Sequence, residues 1–211
     1  MNQEKFIQKR EFLYHLTDLN NVQTILETRT ILSTNVIVDQ NQIMTLDEKN
    51  LLKKTRRKNH IQLQYDNHTF KIRDQRPLSP VALSKCLTNG CTIEEYIELL
   101  NSRVFFWPTL KRLNIHFGRY AHEKPVIIRC KTRDILETNQ NAELCHLNSG
   151  ATRPNAYLGG IASPRGKHTF IPIAAFEMGI SKVAEVTFPT QCLLPETIWL
   201  SNTPNGPWSM A

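Results

Sequence analysis

Two short apolar segments each carry one polar group suited to chemistry. Phe12-Leu13-Tyr14-His15-Leu16-Thr17 places an imidazole after three apolar or aromatic residues. Val183-Ala184-Glu185-Val186-Thr187 flanks a carboxylate with apolar neighbours. A carboxylate in such a run must find a partner, shift its pKa or face a polar cleft, which makes Glu185 a candidate site residue. If the two segments are neighbouring strands, His15 and Glu185 frame one pocket. The structural alternative for Glu185 is a carboxylate paired with a lysine or arginine at a strand edge. For His15 it is an ordinary packed histidine.

The elements that position these groups follow from hydrophobic spacing and capping signals. Phe12 to Leu16 reads as a strand after a loose polar lead-in over residues 1–10. Asp18-Leu19-Asn20 caps a short helix whose face is Val22, Ile25 and Leu26. Ile31-Leu32-Ser33 reads as a second short strand or turn. His68 to Ile72 reads as an edge strand, and Pro77 and Pro80 stop regular structure after it. Thr92-Ile93-Glu94-Glu95 has capping-box spacing and opens a helix. The strand Arg103 to Trp107 follows, then a helix from Thr109 to Gly118. Val126 to Cys130 is a buried strand, and Thr132 to Leu136 a turn or helix. Glycines and prolines mark a long loop between 149 and 166. Val183 to Phe188 and Ile198 to Leu200 are the closing strands, with a frayed tail from Asn202 to Ala211. Short strands mixed with helices, no repeat and no linker give one α+β domain over 1–211.

The 211 residues carry 26 Lys and Arg against 19 Asp and Glu, a formal charge of +7. Such a balance favours polyanionic partners, nucleic acid first. Its densest run is Lys53-Lys54-Thr55-Arg56-Arg57-Lys58. Read as a phosphate-binding surface, Lys53, Lys54, Arg56 and Arg57 would confer salt-dependent binding; read plainly, they form a solvated helix face or loop, and both readings expose them. Asn148-Ser149-Gly150, Arg153, Arg165, Lys167 and His168 suggest either a surface that binds an acceptor or ordinary loop charges.

The five cysteines are odd in number, and none has CxxC spacing. Neither a disulfide framework nor a zinc site is indicated, and no metal is expected. No phosphate-binding loop, dinucleotide fingerprint, HExxH or nucleophile-elbow pattern occurs. No secretory core and no bilayer-length apolar run is present, so the expectation is a cytoplasmic protein with no membrane partner.

Three strings in order resemble the DarT-type ADP-ribosyltransferases. The first is Tyr14-His15-Leu16-Thr17 followed by Asn20, Asn21 and Ile25-Leu26. The second is Arg103-Val104-Phe105-Phe106-Trp107-Pro108. The third is Val183-Ala184-Glu185-Val186 followed by Leu194-Pro195 and Ile198. Together they bracket most of the chain.

The resemblance implies a split β-sandwich with surrounding helices that binds NAD as a substrate. It further implies transfer of ADP-ribose to nucleic acid with release of nicotinamide, as in a bacterial toxin or anti-phage effector. An antitoxin protein is a further partner it suggests. Glu185 would be the catalytic carboxylate, stabilising positive charge on the ribose as in glycoside cleavage. Arg73 is the first choice for the cation at the NAD pyrophosphate, with Arg76 and Arg103 as alternatives, because a basic residue precedes the aromatic strand in that family. Ion pairing of Arg73 with Asp74 is the competing reading. The separation of Arg73 from Arg103, with a helix between them, departs from the family pattern. His15, Thr17 and Tyr14 would contact the cofactor. Phe105, Phe106 and Trp107 offer faces for nicotinamide or a base, although alternation lets at most one face of this strand reach the pocket, so at least one of these rings is core, and Tyr14 is in the same position. A single-stranded acceptor is expected over duplex because base chemistry needs an unpaired base, with RNA placed ahead of DNA. A protein acceptor, a non-catalytic nucleic-acid-binding module and an NAD glycohydrolase are the alternatives.

Overall fold

The computed structural model describes residues 1–65 and 68–211. Its elements are α1 (Gln3–Lys9), β1 (Phe12–Thr17), α2 (Leu19–Thr28), β2 (Thr30–Leu32), α3 (Thr34–Gln40), α4 (Leu46–Lys54), β3 (Ile61–Tyr65) and β4 (His68–Ile72). Next come α5 (Pro80–Ser84), α6 (Ile93–Asn101), β5 (Arg103–Phe106), α7 (Leu110–Tyr120), β6 (Val126–Lys131) and α8 (Thr132–Thr138). The chain closes with β7 (Glu143–Cys145), β8 (Ile171–Pro172), β9 (Glu185–Pro189), β10 (Gln191–Leu193), β11 (Ile198–Ser201) and β12 (Ser209–Met210). Helices stand beside antiparallel strand pairs, an α+β arrangement. No described helix is long and apolar enough to cross a membrane.

The residues fall into two compact units, each discontinuous in sequence. The first comprises Met1–Leu32, Val104–His146 and Ile171–Ala211. Its two four-stranded sheets run β1-β6-β11-β12 and β5-β9-β7-β8, with β2 and β10 pairing separately. One core cluster joins them. Leu13, Ile128, Cys130 and Ile198 come from the first sheet, and Val104, Phe106, Leu144, Val186 and Phe188 from the second. In each strand these are alternate positions, so each sheet gives one face to the core and turns the other away. On the first sheet the other face holds Tyr14, Leu16 and Ile127, covered by Trp107 and by Leu113 and Tyr120 of α7.

The second unit comprises Ser33–Arg103 and Leu147–Phe170. Here α6 packs against α3, α4 and α5, and α3 packs against β3 of the β3–β4 pair. Its fully buried side chains include Leu78, Leu83 and Tyr96. Thr92 accepts from the Glu95 amide while the Glu95 carboxylate accepts from the Thr92 amide, which completes the expected capping box on α6. Removing that hydroxyl in Thr92→Ala is expected to cost about 1 kcal/mol, read as a lower midpoint in urea. An unchanged midpoint would mean the box contributes nothing.

Both chain ends differ from expectation. Residues 3–9 form α1 rather than a loose lead-in, because Phe6 and Ile7 are buried in the main core and Asn2 caps the helix on the Lys5 amide. Two adjacent apolar residues are too few to show a helical period in sequence. The tail is not frayed. Ser209 and Met210 pair with Leu200 and Trp199, and the Ser201 hydroxyl holds the turn by donating to the Thr203 carbonyl at 2.8 Å. Gly206 has φ +90, and a Cβ there would meet the Trp208 ring at 3.0 Å, so the turn that seats Trp208 requires glycine.

Candidate functional site

β1 and β9 are not neighbours; β5 lies between them. It neighbours β9 by hydrogen bonding and meets β1 through a single bridge, Tyr14 with Trp107. Two backbone bonds make that bridge, Tyr14 N–H to the Trp107 carbonyl at 3.0 Å and Trp107 N–H to the Tyr14 carbonyl at 2.8 Å. The two sheets thus touch edge to edge at one residue pair.

His15 sits one residue beyond the bridge. Its Nδ1 lies 2.9 Å from the Phe105 carbonyl. A carbonyl only accepts, so Nδ1 carries a proton and donates to it. The imidazole also packs on Phe106, with ring centroids 5.3 Å apart. Thr17 is buried, and its hydroxyl accepts from the Asn21 amide at 3.3 Å, serving the turn into α2. Asp18 caps that helix on the Asn20 amide.

Glu185 opens β9 directly opposite Cys145 of β7, and the Ala184 amide donates to the Cys145 carbonyl at 2.7 Å. Its residue exposure is 4%. Because Val186 and Phe188 take the core face, Glu185 and Thr187 share the other, together with Cys145 and Glu143 opposite them. The Thr187 hydroxyl is buried and finds no hydrogen-bond partner among the described residues. A buried hydroxyl left unpaired costs about 1–3 kcal/mol. Thr187 was not singled out from sequence, although it stands two residues after Glu185, the strand period that puts both on one face.

Other candidates are scattered. Tyr14 and Trp107 belong to the second cluster, on the far face of β1 from His15, where Trp107 stacks on His116 at 4.1 Å. Phe106 is fully buried in the main core. Of the aromatic trio, Phe105 alone is half-exposed and alternates away from the core. Phe106 is thus buried in the main core, and Tyr14 and Trp107 in the second cluster.

The arginines and lysines singled out lie in the second unit. The Arg103 guanidinium donates to the Leu99 carbonyl at 3.0 Å and rests 4.5 Å from the Phe170 ring. Arg73 follows β4, half-buried, and its carbonyl accepts from Arg57 Nε. Asp74 lies 3.5 Å from Arg76 Nε and 3.4 Å from His60 Nδ1.

The basic run is open only in part: Lys54 and Lys58 are exposed, whereas Lys53 and Arg56 are half-buried and Arg57 is buried. Arg57 is buried; Nη1 donates to Asn101 Oδ1 at 2.8 Å, and burial pulls its pKa down to about 10 against the pull of Asp74. Arg56 donates to the Gln75 and Arg76 carbonyls. Lys53 pairs with Asp39 at 2.7 Å, and Lys54 approaches Glu98 at 3.8 Å. These cations fasten residues 73–76 and two helices. In the long loop Arg165 is likewise buried, donating to the Ser149, Ala151 and Ser163 carbonyls, whereas Arg153 is exposed.

None of the five cysteines forms a disulfide, and all five are buried. Burial pushes the Cys130 thiol up to about 12 and raises Cys192 well above its ordinary range. A neutral buried thiol is a poor nucleophile. Folded thiols hold protons that unfolded ones release above about 9, so these groups favour the fold below that pH. Stability is expected to fall between pH 9 and 12, more slowly in Cys130→Ala/Cys192→Ala, measured by urea unfolding. A flat profile in the parent chain would refute the assignment. Among the described residues, no group of three or more His, Cys, Asp or Glu side chains comes together to hold a metal.

A family model, described as a family of unknown function (DUF7002), matches residues 11–193. The chain belongs to this family. The match takes in β1 with His15, β5, and β9 with Glu185, and it stops after β10, so β11 and β12 lie outside it. No curated protein and no solved structure matches the DUF7002 chain.

Proposed function

We propose that this chain is an ADP-ribosyltransferase that cleaves NAD, releases nicotinamide and transfers ADP-ribose to single-stranded nucleic acid. RNA is the favoured acceptor. The observation that carries the reading is the nearly buried Glu185, which shares its sheet face with the Thr187 hydroxyl, unpartnered among the described residues. Breaking the nicotinamide–ribose bond builds positive charge on the sugar. A carboxylate held in a low-dielectric sheet stabilises that charge more strongly than one in water.

In this reading Glu185 accepts from a ribose hydroxyl, and Thr187 supplies the neighbouring polar contact. The His15 ring is fixed by the Phe105 carbonyl. Two sheets meeting at one edge pair suit the split sandwich that the resemblance implies. In the same reading the toxin or anti-phage role, with an antitoxin partner, follows from the resemblance.

The test incubates the chain with NAD labelled in the adenylate moiety and separate pools of RNA, DNA and protein. Label in RNA that resists protease and yields to nuclease is the expected result. Absence of both NAD consumption and label would sink the proposal. The internal engagement of Lys53, Arg56 and Arg57 favours a second reading, the same chemistry on a protein acceptor, which predicts protease-sensitive label.

A further inference from the structure

The outward face of the first sheet carries a cation held by aromatic rings alone. Arg129 of β6 stands opposite Tyr14 of β1 and Trp199 of β11. Its guanidinium carbon lies 4.5 Å from the Phe12 ring, 4.9 Å from Trp199 and 4.3 Å from Trp208. Phe12 and Trp199 pack edge to face at 5.8 Å, and Trp208 leans on Tyr14 at 6.0 Å. Among the described residues Arg129 makes no hydrogen bond and no ion pair. Its Nε is buried without a partner, while Nη1 and Nη2 are not buried.

An arginine kept only for structure is ordinarily paired with a carboxylate or bound to carbonyls, as Arg57 and Arg165 are here. Arg129 has neither. The one acid exerting a pull on it is Glu11, exposed and beyond ion-pair range; Tyr14 is the other titratable neighbour. Lys131, two positions along β6 and opposite Phe12, adds a second exposed cation to the same face. α7 covers the neighbouring end of this face with Leu113 and Tyr120, whereas Phe12, Arg129, Trp199 and Trp208 remain half-exposed.

We propose that Arg129, Phe12, Trp199 and Trp208 form a binding platform for single-stranded nucleic acid, in which a base stacks on an indole and a phosphate takes the Nη1 and Nη2 donors of Arg129. The inference rests on the nucleic-acid half of the function proposed above. Flat, half-exposed rings select a ligand with flat groups of its own, and base stacking on aromatics tolerates any sequence. A guanidinium fork with two open nitrogens matches a phosphate. The chain's charge of +7 draws such a polyanion to the surface. Duplex keeps its bases stacked and offers the rings nothing, so it is the weaker ligand.

The experiment measures fluorescence anisotropy of short labelled RNA and DNA strands, single and duplex, with the full chain. Arg129→Gln and Trp208→Ala are each expected to weaken single-strand binding about 10-fold or more. Arg129→Gln should also lower the salt slope by about one phosphate contact. Lys53→Gln/Lys54→Gln, in the other unit, should bind as the parent does. Trp208→Ala is the variant least able to disturb the fold, since its ring is half-exposed near the chain end, and urea midpoints check all of them.

Parental affinity in well-folded Arg129→Gln and Trp208→Ala overturns the platform. Displacement of RNA by polyglutamate as readily as by unlabelled RNA also overturns it. NAD consumption without an acceptor reads the catalytic proposal separately. Strand binding through Arg129 with no NAD consumption leaves the platform standing and sinks the catalysis; NAD consumption with no strand binding does the reverse.

Discussion

Replacing Glu185 with glutamine is expected to lower NAD consumption and ADP-ribose transfer about 10³-fold, the scale lost when one preorganised electrostatic contact to a transition state is removed. Glutamine is the informative replacement because Glu185 is only 4% exposed and packs within a sheet. Alanine would open a void and mix instability with lost chemistry. Glutamine keeps the volume and removes the charge. The two readings of this acid then separate cleanly. A catalytic Glu185 predicts that activity collapses while the urea midpoint stays near that of the parent. A Glu185 that merely pairs with a buried cation predicts a loss of about 3–5 kcal/mol in stability, since breaking such a pair strands the other charge. Undiminished NAD consumption in a folded Glu185→Gln chain would remove the basis for the enzymatic proposal.

Arg57→Ala is expected to destabilise the chain by about 3–5 kcal/mol, the range for removing one member of a buried charged network. Asn101 Oδ1 accepts from both Arg57 Nη1 and Gln75 Nε2, and its Nδ2 donates to the Lys53 carbonyl. Arg57 Nε and the Arg57 amide also hold Arg73 and Gln75. Losing the guanidinium leaves the Arg73 carbonyl and Asn101 Oδ1 each short of a donor. Lys54→Gln, close by in sequence but exposed and 3.8 Å from its acid, should cost less than about 1 kcal/mol. Urea unfolding of the two variants checks the contrast. Equal, small losses would mean that the basic run is the solvated surface its composition suggests.

The secondary structure was largely legible because capping and strand signals are local. Thr92 with Glu95, Asp18 before α2 and Thr109 before α7 each satisfy a helix start within three residues, and each is found in place. Glu185 stood out for the same reason, as a charge inside an apolar run of five. Val36, Ile37 and Val38 fit a strand as well as a helix by sequence alone, and they form α3, packed on β3, α4 and α6.

What the chain by itself determined, then, is where the capped helices α2, α6 and α7 start, which strands are buried, and that one carboxylate and one imidazole sit on such strands. Tertiary structure decided which face each side chain takes. It sent Tyr14 and His15 to opposite faces, set Thr187 beside Glu185, buried Arg57 among carbonyls and left Arg129 among rings. Local signals act within one turn or one strand pleat, whereas the neighbour across a sheet comes from elements far away in sequence, and burial of the apolar face as a whole chooses it.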